Sequence, residues 1–312
     1  MSLRYIMGKP DTGKTTLCID EIAKCDNMRE RLFYIVPEQF TLESEKNLID
    51  KKGSLININV LGFRHFAYYL ISKMGTSGRA MLDDVGRAML IRRIVLELKE
   101  RLGFYKNSAD RQGFIDSIDM TITELMQYSI TAEKIGETAE NMKEGNLKNK
   151  LEDIKLIFEK YREYMNKEYI AGDGALEILA EYIKHSIVKD SEVWIDGFKS
   201  FTPQENKVIE QLLKYCKRVN ITFTINSPAT EYSSIASFDE QYEVKRAVTK
   251  ITALARDNGV DIEPVVFLDR TYRKSCQEIE FIKNNYFKYK LKPCDGEVKN
   301  IAIYRAANMY DE

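Results

Sequence analysis

The residues with the clearest chemical meaning are Gly8-Lys9-Pro10-Asp11-Thr12-Gly13-Lys14-Thr15, which fit the pattern G-x-x-x-x-G-K-[ST]. In such a loop, glycines let backbone N–H groups close on an anion. The positive end of the following helix adds to the attraction. Gly8, Thr12, Gly13, Lys14, Thr15 and Thr16 are the expected nucleotide-binding residues. Lys14 would set its ammonium between the β- and γ-phosphates of ATP, and Thr15 would ligate Mg²⁺. By average residue usage the pattern arises by chance in about one chain in a hundred of this length. Asp11 stands where glycine is common. Aspartate tolerates unusual backbone angles, but its charge is unfavourable beside phosphates.

A second acidic position is needed to hold Mg²⁺. Val193-Trp194-Ile195-Asp196 is an apolar strand ending in a carboxylate, so Asp196 is the expected partner of Thr15. The next residue is Gly197, where an ATPase usually has a water-activating Glu. Gln204 and Glu205 are the possible substitutes, but Glu205 is expected to serve a helix cap. Binding without efficient hydrolysis follows from this pattern. The competing reading makes Asp196 a strand-end residue that starts a turn. Asn226 closes the next strand, either as a γ-phosphate sensor or as a turn residue before Pro228.

These residues need strands and helices to hold them. Apolar runs at 3–7, 32–36 and 58–61 read as buried strands, and 14–24, 38–50 and 64–73 as helices. Alternation at this spacing predicts a parallel sheet covered on both faces. From about 79 to 189 no strand is expected. Leu90, Ile94, Leu98 and Leu102 recur at helical spacing, as do Ile115, Ile118, Ile122 and Leu125. Alternation returns after 190, with strands at 193–196, 220–225, 265–268 and 301–304. Thr202-Pro203-Gln204-Glu205 has the form of a capping box. The expected architecture is one α/β domain split by an all-helical insertion. The stop at Glu312, as a helix begins, suggests a piece of a longer protein, with 301–312 opening a following domain.

Composition sets the outer bounds. Charged residues make up 30% and the net charge is −1, so no global excess of positive charge points to nucleic acid. No apolar run approaches the ~18–20 residues of a membrane span. The 5 cysteines form no C-x-x-C pair and the 2 histidines are too few for a His-rich metal site. Reduced thiols in a cytoplasmic protein are expected.

Three segments carry a resemblance: the Gly8–Thr15 loop, Tyr34-Ile35-Val36-Pro37-Glu38-Gln39-Phe40-Thr41, and Val193 to Phe198 with Phe201-Thr202-Pro203-Gln204-Glu205. Together they resemble the N-terminal region of the AddB family, also called RexB. That family supplies the second subunit of the bacterial ATP-dependent helicase–nuclease that processes broken DNA ends. The resemblance implies a RecA-like domain of the superfamily 1 helicase type at about 1–78 and 190–300, with a helical subdomain at 79–189. It implies DNA and an AddA/RexA partner subunit. It also implies a nuclease, an ATP-dependent deoxyribonuclease activity and an iron–sulfur cluster in a C-terminal region that this sequence does not include. Val60-Leu61-Gly62-Phe63-Arg64-His65-Phe66 is similar to the segment with which such helicases grip single-stranded DNA. Arg64 could meet a phosphate, and Phe63 or His65 could stack on a base. The other reading is a strand-to-helix junction with Phe63 and Phe66 in the core. Only seven residues precede Gly8, which leaves out the adenine-reading glutamine of active helicases. With Gly197, this points to weak or absent motor activity.

The basic run Arg87, Arg92, Arg93, Lys99, Arg101 and Lys106 reads either as a DNA-facing patch or as a solvated helix face. Two other functional classes stay open. One is a self-sufficient P-loop ATPase or kinase, which would need a water-activating carboxylate or a phosphate clamp. The other is an interaction scaffold with a vestigial loop.

Overall fold

In the computed structural model, residues 1–25, 31–74, 80–270, 276–285, 293 and 298–309 are described. The chain opens with the expected alternation. β1 (Ser2–Gly8) leads to α1 (Lys14–Lys24), β2 (Leu32–Ile35) to α2 (Thr41–Lys52), and β3 (Ile58–Leu61) to α3 (Phe63–Met74). After the helical stretch come β6 (Glu192–Ile195), α9 (Pro203–Tyr215), β7 (Arg218–Thr224), α10 (Tyr242–Asp257), β8 (Asp261–Ile262), β9 (Val266–Leu268) and α11 (Gln277–Asn285). The seven strands form one parallel sheet in the order β3-β2-β6-β7-β1-β8, with β9 pairing β1 beyond β8. Pro264, between β8 and β9, has no N–H for the ladder, which explains an edge strand in two pieces.

Period-two alternation sends side chains to both faces of this sheet. Leu3, Tyr5, Met7, Phe33, Ile35, Val193 and Ile195 pack on one face beneath α3, α9 and α10. Ile6, Leu32, Tyr34 and Trp194 pack on the other, against Cys18, Ile19 and Ile22 of α1 and Leu48 of α2. Trp194, the sole tryptophan, is buried there. Burying a large apolar side chain contributes roughly 1.5–3 kcal/mol. Two such layers hold the strand ends in a fixed frame.

Between the halves lie α4 (Asp84–Leu98), α5 (Gln112–Gln127), α6 (Ala132–Glu140), α7 (Asn146–Lys167) and α8 (Gly172–Tyr182). The first four share their own core, with Ile91, Ile94, Ile118, Ile122, Phe158 and Tyr161 at its centre. Three results differ from the sequence reading. The stretch is not all helical: β4 (Ala80–Leu82) pairs in parallel with β5 (Tyr169–Ala171) and ties its two ends together. Three-residue strands are too short to register as alternation. Also, Ala175 and Leu179 of α8, with Ile183 just after it, belong to the core of the sheet, not to that of the helices. The expected strand at 301–304 is not formed. Residues 298–309 contain neither helix nor strand. The expected boundary at 78/79, the ends of the helix predicted at 275–286, and Cys294 lie outside the described residues.

Candidate phosphate-binding site

The C-terminal ends of β1, β6 and β7 converge on a cleft of about 800 Å³. Its first wall is the turn from β1 into α1. Gly8 has no space for a side chain. A Cβ there would run into the Leu268 carbonyl oxygen of β9 and sit 2.7 Å from Thr12 Oγ1. Asp11 and Gly13 both take left-handed backbone angles, φ 61° and 84°. This is the tolerance expected of an aspartate in place of glycine. No side chain caps the first turn of α1, and no acidic residue sits in it. Its leading N–H groups therefore face the cleft with the positive end of the helix dipole.

Lys14 is 9% exposed. Its Nζ donates to the carbonyls of Gly8 at 3.0 Å and Lys9 at 2.7 Å. Burial pulls its ammonium below the ordinary lysine value, opposed by the nearby charges of Asp196 and Asp11. Thr12 is buried and its Oγ1 donates to Lys9 O at 2.8 Å, which closes the turn. Thr15 and Thr16 are exposed on the cleft wall.

The opposite wall carries Asp196, one residue past β6 and buried. Both carboxylate oxygens accept a hydroxyl from a neighbouring strand. Tyr34 of β2 donates to Oδ2 at 2.8 Å, and Thr222 of β7 donates to Oδ1. These bonds offset the cost of burying a carboxylate. Burial, with Asp196 beside it, holds the Tyr34 phenol well above its usual value, so it stays a donor. Asp196 and Thr15 line this cleft together, and a smaller adjoining one as well.

Gly197 has φ 85°, and a Cβ there would come 3.2 Å from Pro37 Cδ. The position after Asp196 is thus reserved for glycine by the backbone. The substitutes for a catalytic acid lie elsewhere. Glu205 forms the capping box with Thr202: its carboxylate accepts from Thr202 N at 2.7 Å, and Thr202 Oγ1 accepts from Glu205 N at 3.2 Å. Gln204 and Glu205 line a separate cleft of about 410 Å³ that does not include Lys14. Asn226 is exposed, with its N–H bonded to Gln241 Oε1 at 3.2 Å, and it does not line the Lys14 cleft. Thr222 and Thr224 of the same strand do. Neither stands out in the sequence, nor does Lys199, and Tyr34 stands out only as part of its segment. All four lie within strands or on a loop, and only the sheet order reveals their neighbours.

The three residues expected to touch DNA separate. Phe63 is a core residue, packed edge-on to Phe198 at 5.3 Å and Phe201 at 6.1 Å. Its ring is almost wholly buried. Arg64 is half-buried and His65 exposed: Arg64 lies 3.5 Å from both Glu38 and Asp84, and His65 Nδ1 lies 3.4 Å from Glu38. Three of the six members of the basic run are ion-paired. Arg87 binds Asp119 at 2.7 Å, Lys99 binds Asp110 at 2.5 Å and Lys106 binds Glu100 at 2.6 Å. No cluster of three or more His, Cys, Asp or Glu suited to a metal occurs among the described residues. No described helix is long and apolar enough to cross a membrane.

A wholly parallel sheet, with a glycine–lysine turn after one strand and a buried aspartate after another, defines an α/β protein consistent with the RecA-like class. Residues 5–283 match the family model described as "ADDB, N-terminal". The chain belongs to the AddB family. Over its whole length it is 35% identical to a protein of Clostridium novyi (strain NT) named as a subunit of an ATP-dependent helicase/deoxyribonuclease, and to the protein of the same name from Thermoanaerobacter sp. (strain X514). Identity to its namesake from Clostridium acetobutylicum is 33%. The chain spans 28% of the length of the first two relatives and 27% of the third.

Proposed function

We propose that this chain is the N-terminal, helicase-like region of one subunit in a DNA-processing helicase–deoxyribonuclease, and that it binds ATP with Mg²⁺ at the Gly8–Thr16 turn. The observation that carries the reading is the meeting of Lys14, Thr15 and Asp196 in one cleft at the carboxyl ends of parallel strands. Ligands of α/β sheets bind in that position. The residues fit the group. The cradle at Gly8 would be filled by any side chain. The first turn of α1 presents uncapped donors. Lys14 supplies charge, and Thr15 and Asp196 supply the hard oxygen ligands that Mg²⁺ prefers. A bound Mg²⁺ would neutralise charge on the phosphates.

Turnover is weak or absent in this reading. The carboxylates on the cleft wall are Asp11, Asp20 and Asp196. Asp20 is ion-paired with Lys51. Asp196 is held by two hydroxyls. Glu205 is occupied as a cap. ATP binding to the purified protein, measured beside phosphate release, tests this. Saturable binding with release far below the ordinary ~10 s⁻¹ of enzymes is expected. Release at ordinary rates, without DNA or partner, would favour a self-sufficient ATPase.

The names of the relatives suggest a DNA substrate and a partner subunit, which we take to be of the AddA/RexA type. Single-stranded DNA would meet Arg64 and His65, whose side chains reach the surface. A labelled oligonucleotide titrated at several salt concentrations tests this, because each phosphate contact adds to the salt slope. Binding that ignores salt would leave a scaffold role.

A further inference from the structure

Lys199 lies on the loop from β6 to α9 and lines the same cleft as Lys14. Among the described residues, these two are the cations on its walls. With Asp20 paired to Lys51, they face the carboxylates of Asp11 and Asp196. Lys199 adds a second positive charge to walls that also carry Asp11 and Asp196. Lys199 is exposed and makes no ion pair among the described residues.

The loop that carries it is held firmly. Gly197 bends the chain at φ 85°. Phe198 then packs on Phe63 at 5.3 Å and on Phe201 at 5.4 Å, so Lys199 sits between two anchored rings. In the sheet a single strand, β7, separates β1 from β6. Strands spaced ~4.8 Å apart put the Lys14 turn and the Lys199 loop about 10 Å from one another along the sheet edge. Phosphates cradled at the start of α1 would lie near the carboxyl end of β1. A phosphate chain extended from there towards β6 would approach Lys199.

We propose that Lys199 is a second phosphate-binding cation, which pairs with the terminal phosphate of a nucleoside triphosphate and so separates triphosphate from diphosphate. It rests on the nucleotide reading of the Lys14 cleft. It also supplies a phosphate clamp that the sequence did not reveal. Arginine in its place would keep the charge.

Calorimetric titration of the purified full-length protein with ATP–Mg²⁺ and ADP–Mg²⁺ tests it, using wild type, Lys199→Ala, Lys199→Arg and Lys14→Ala. For Lys199→Ala, loss of one charge-assisted contact should weaken ATP binding about tenfold and ADP binding by less than about twofold. Lys199→Arg should restore most of the difference, and the melting temperature should not move. Equal weakening of both nucleotides, or of neither, while Lys14→Ala abolishes binding, would overturn the Lys199 role alone. Wild type that binds neither nucleotide, or Lys14→Ala that binds as wild type does, would overturn the nucleotide reading and the Lys199 role with it.

Discussion

Gly8 shows how one atom can decide a site. Any Cβ there collides with the backbone of β9, and a carbonyl oxygen in a sheet cannot swing aside as a side chain can. Gly8→Ala should lose nucleotide binding and destabilise the fold by about 1–3 kcal/mol, the usual range for overpacking. Urea unfolding beside an ATP titration checks both; full retention of the two would contradict the cradle. Lys14 adds a pH dependence. Burial sets its folded value below the ordinary 10.5. Between those values the unfolded chain binds more protons, so this group adds stability as pH rises through the window. ATP affinity should run the other way, falling as pH rises through the lowered value, because a neutral amine offers no charge. A decline that starts only above 10.5 would contradict the burial of Lys14. Lys14, Thr15 and Asp196 were legible because their types are fixed by chemistry and their neighbours in sequence frame them. Lys199 and Thr222 were not. A lysine and a threonine are common surface residues, and only the order β6-β7-β1 brings them to the cleft.

At the scale of elements, the start of α9 was readable in full. Thr202, Pro203 and Glu205 predicted the box that forms. Its energetics were not readable, since burial was not. Burial lifts Glu205 above its ordinary 4.5, with the Thr202 hydrogen bonds opposing. Within that window the folded chain binds more protons, so stability falls as pH rises through it. Glu205→Gln keeps an acceptor for the Thr202 N–H and removes the titration. It should be at least as stable as wild type at pH 7 and flat across the window, whereas Thr202→Ala should cost about 1 kcal/mol. Urea unfolding from pH 4 to 8 measures both, and a Glu205→Gln loss as large as that of Thr202→Ala would contradict this account. The start of α3 gives the opposite lesson. The segment Phe63-Arg64-His65 is similar to a DNA grip, yet Phe63 packs among aromatic rings. Phe63→Ala should cost about 3–5 kcal/mol in stability, as buried aromatic truncations do. His65→Ala should leave stability within about 0.5 kcal/mol. Equal effects on urea unfolding would place Phe63 outside the core.

Across the whole molecule, the sheet and the four helices α4 to α7 have separate cores. The sequence announced that division through its change of period, from short apolar runs to helical stripes. The β4–β5 pair that closes the helical stretch was hidden, because its strands lie 89 positions apart (169 − 80) and are three residues long. The place of α8 was hidden too, since a helical stripe does not say which core it faces. What the two halves of the sheet share is the cleft, to which the first contributes Lys14 and the second Asp196. A calorimetric titration with ATP–Mg²⁺, run on wild type and on Lys14→Ala, tests that shared site most directly. Saturable one-site binding by the wild type is expected, with a loss of at least about tenfold in affinity for the variant. Binding by Lys14→Ala as tight as that of the wild type would contradict the shared site.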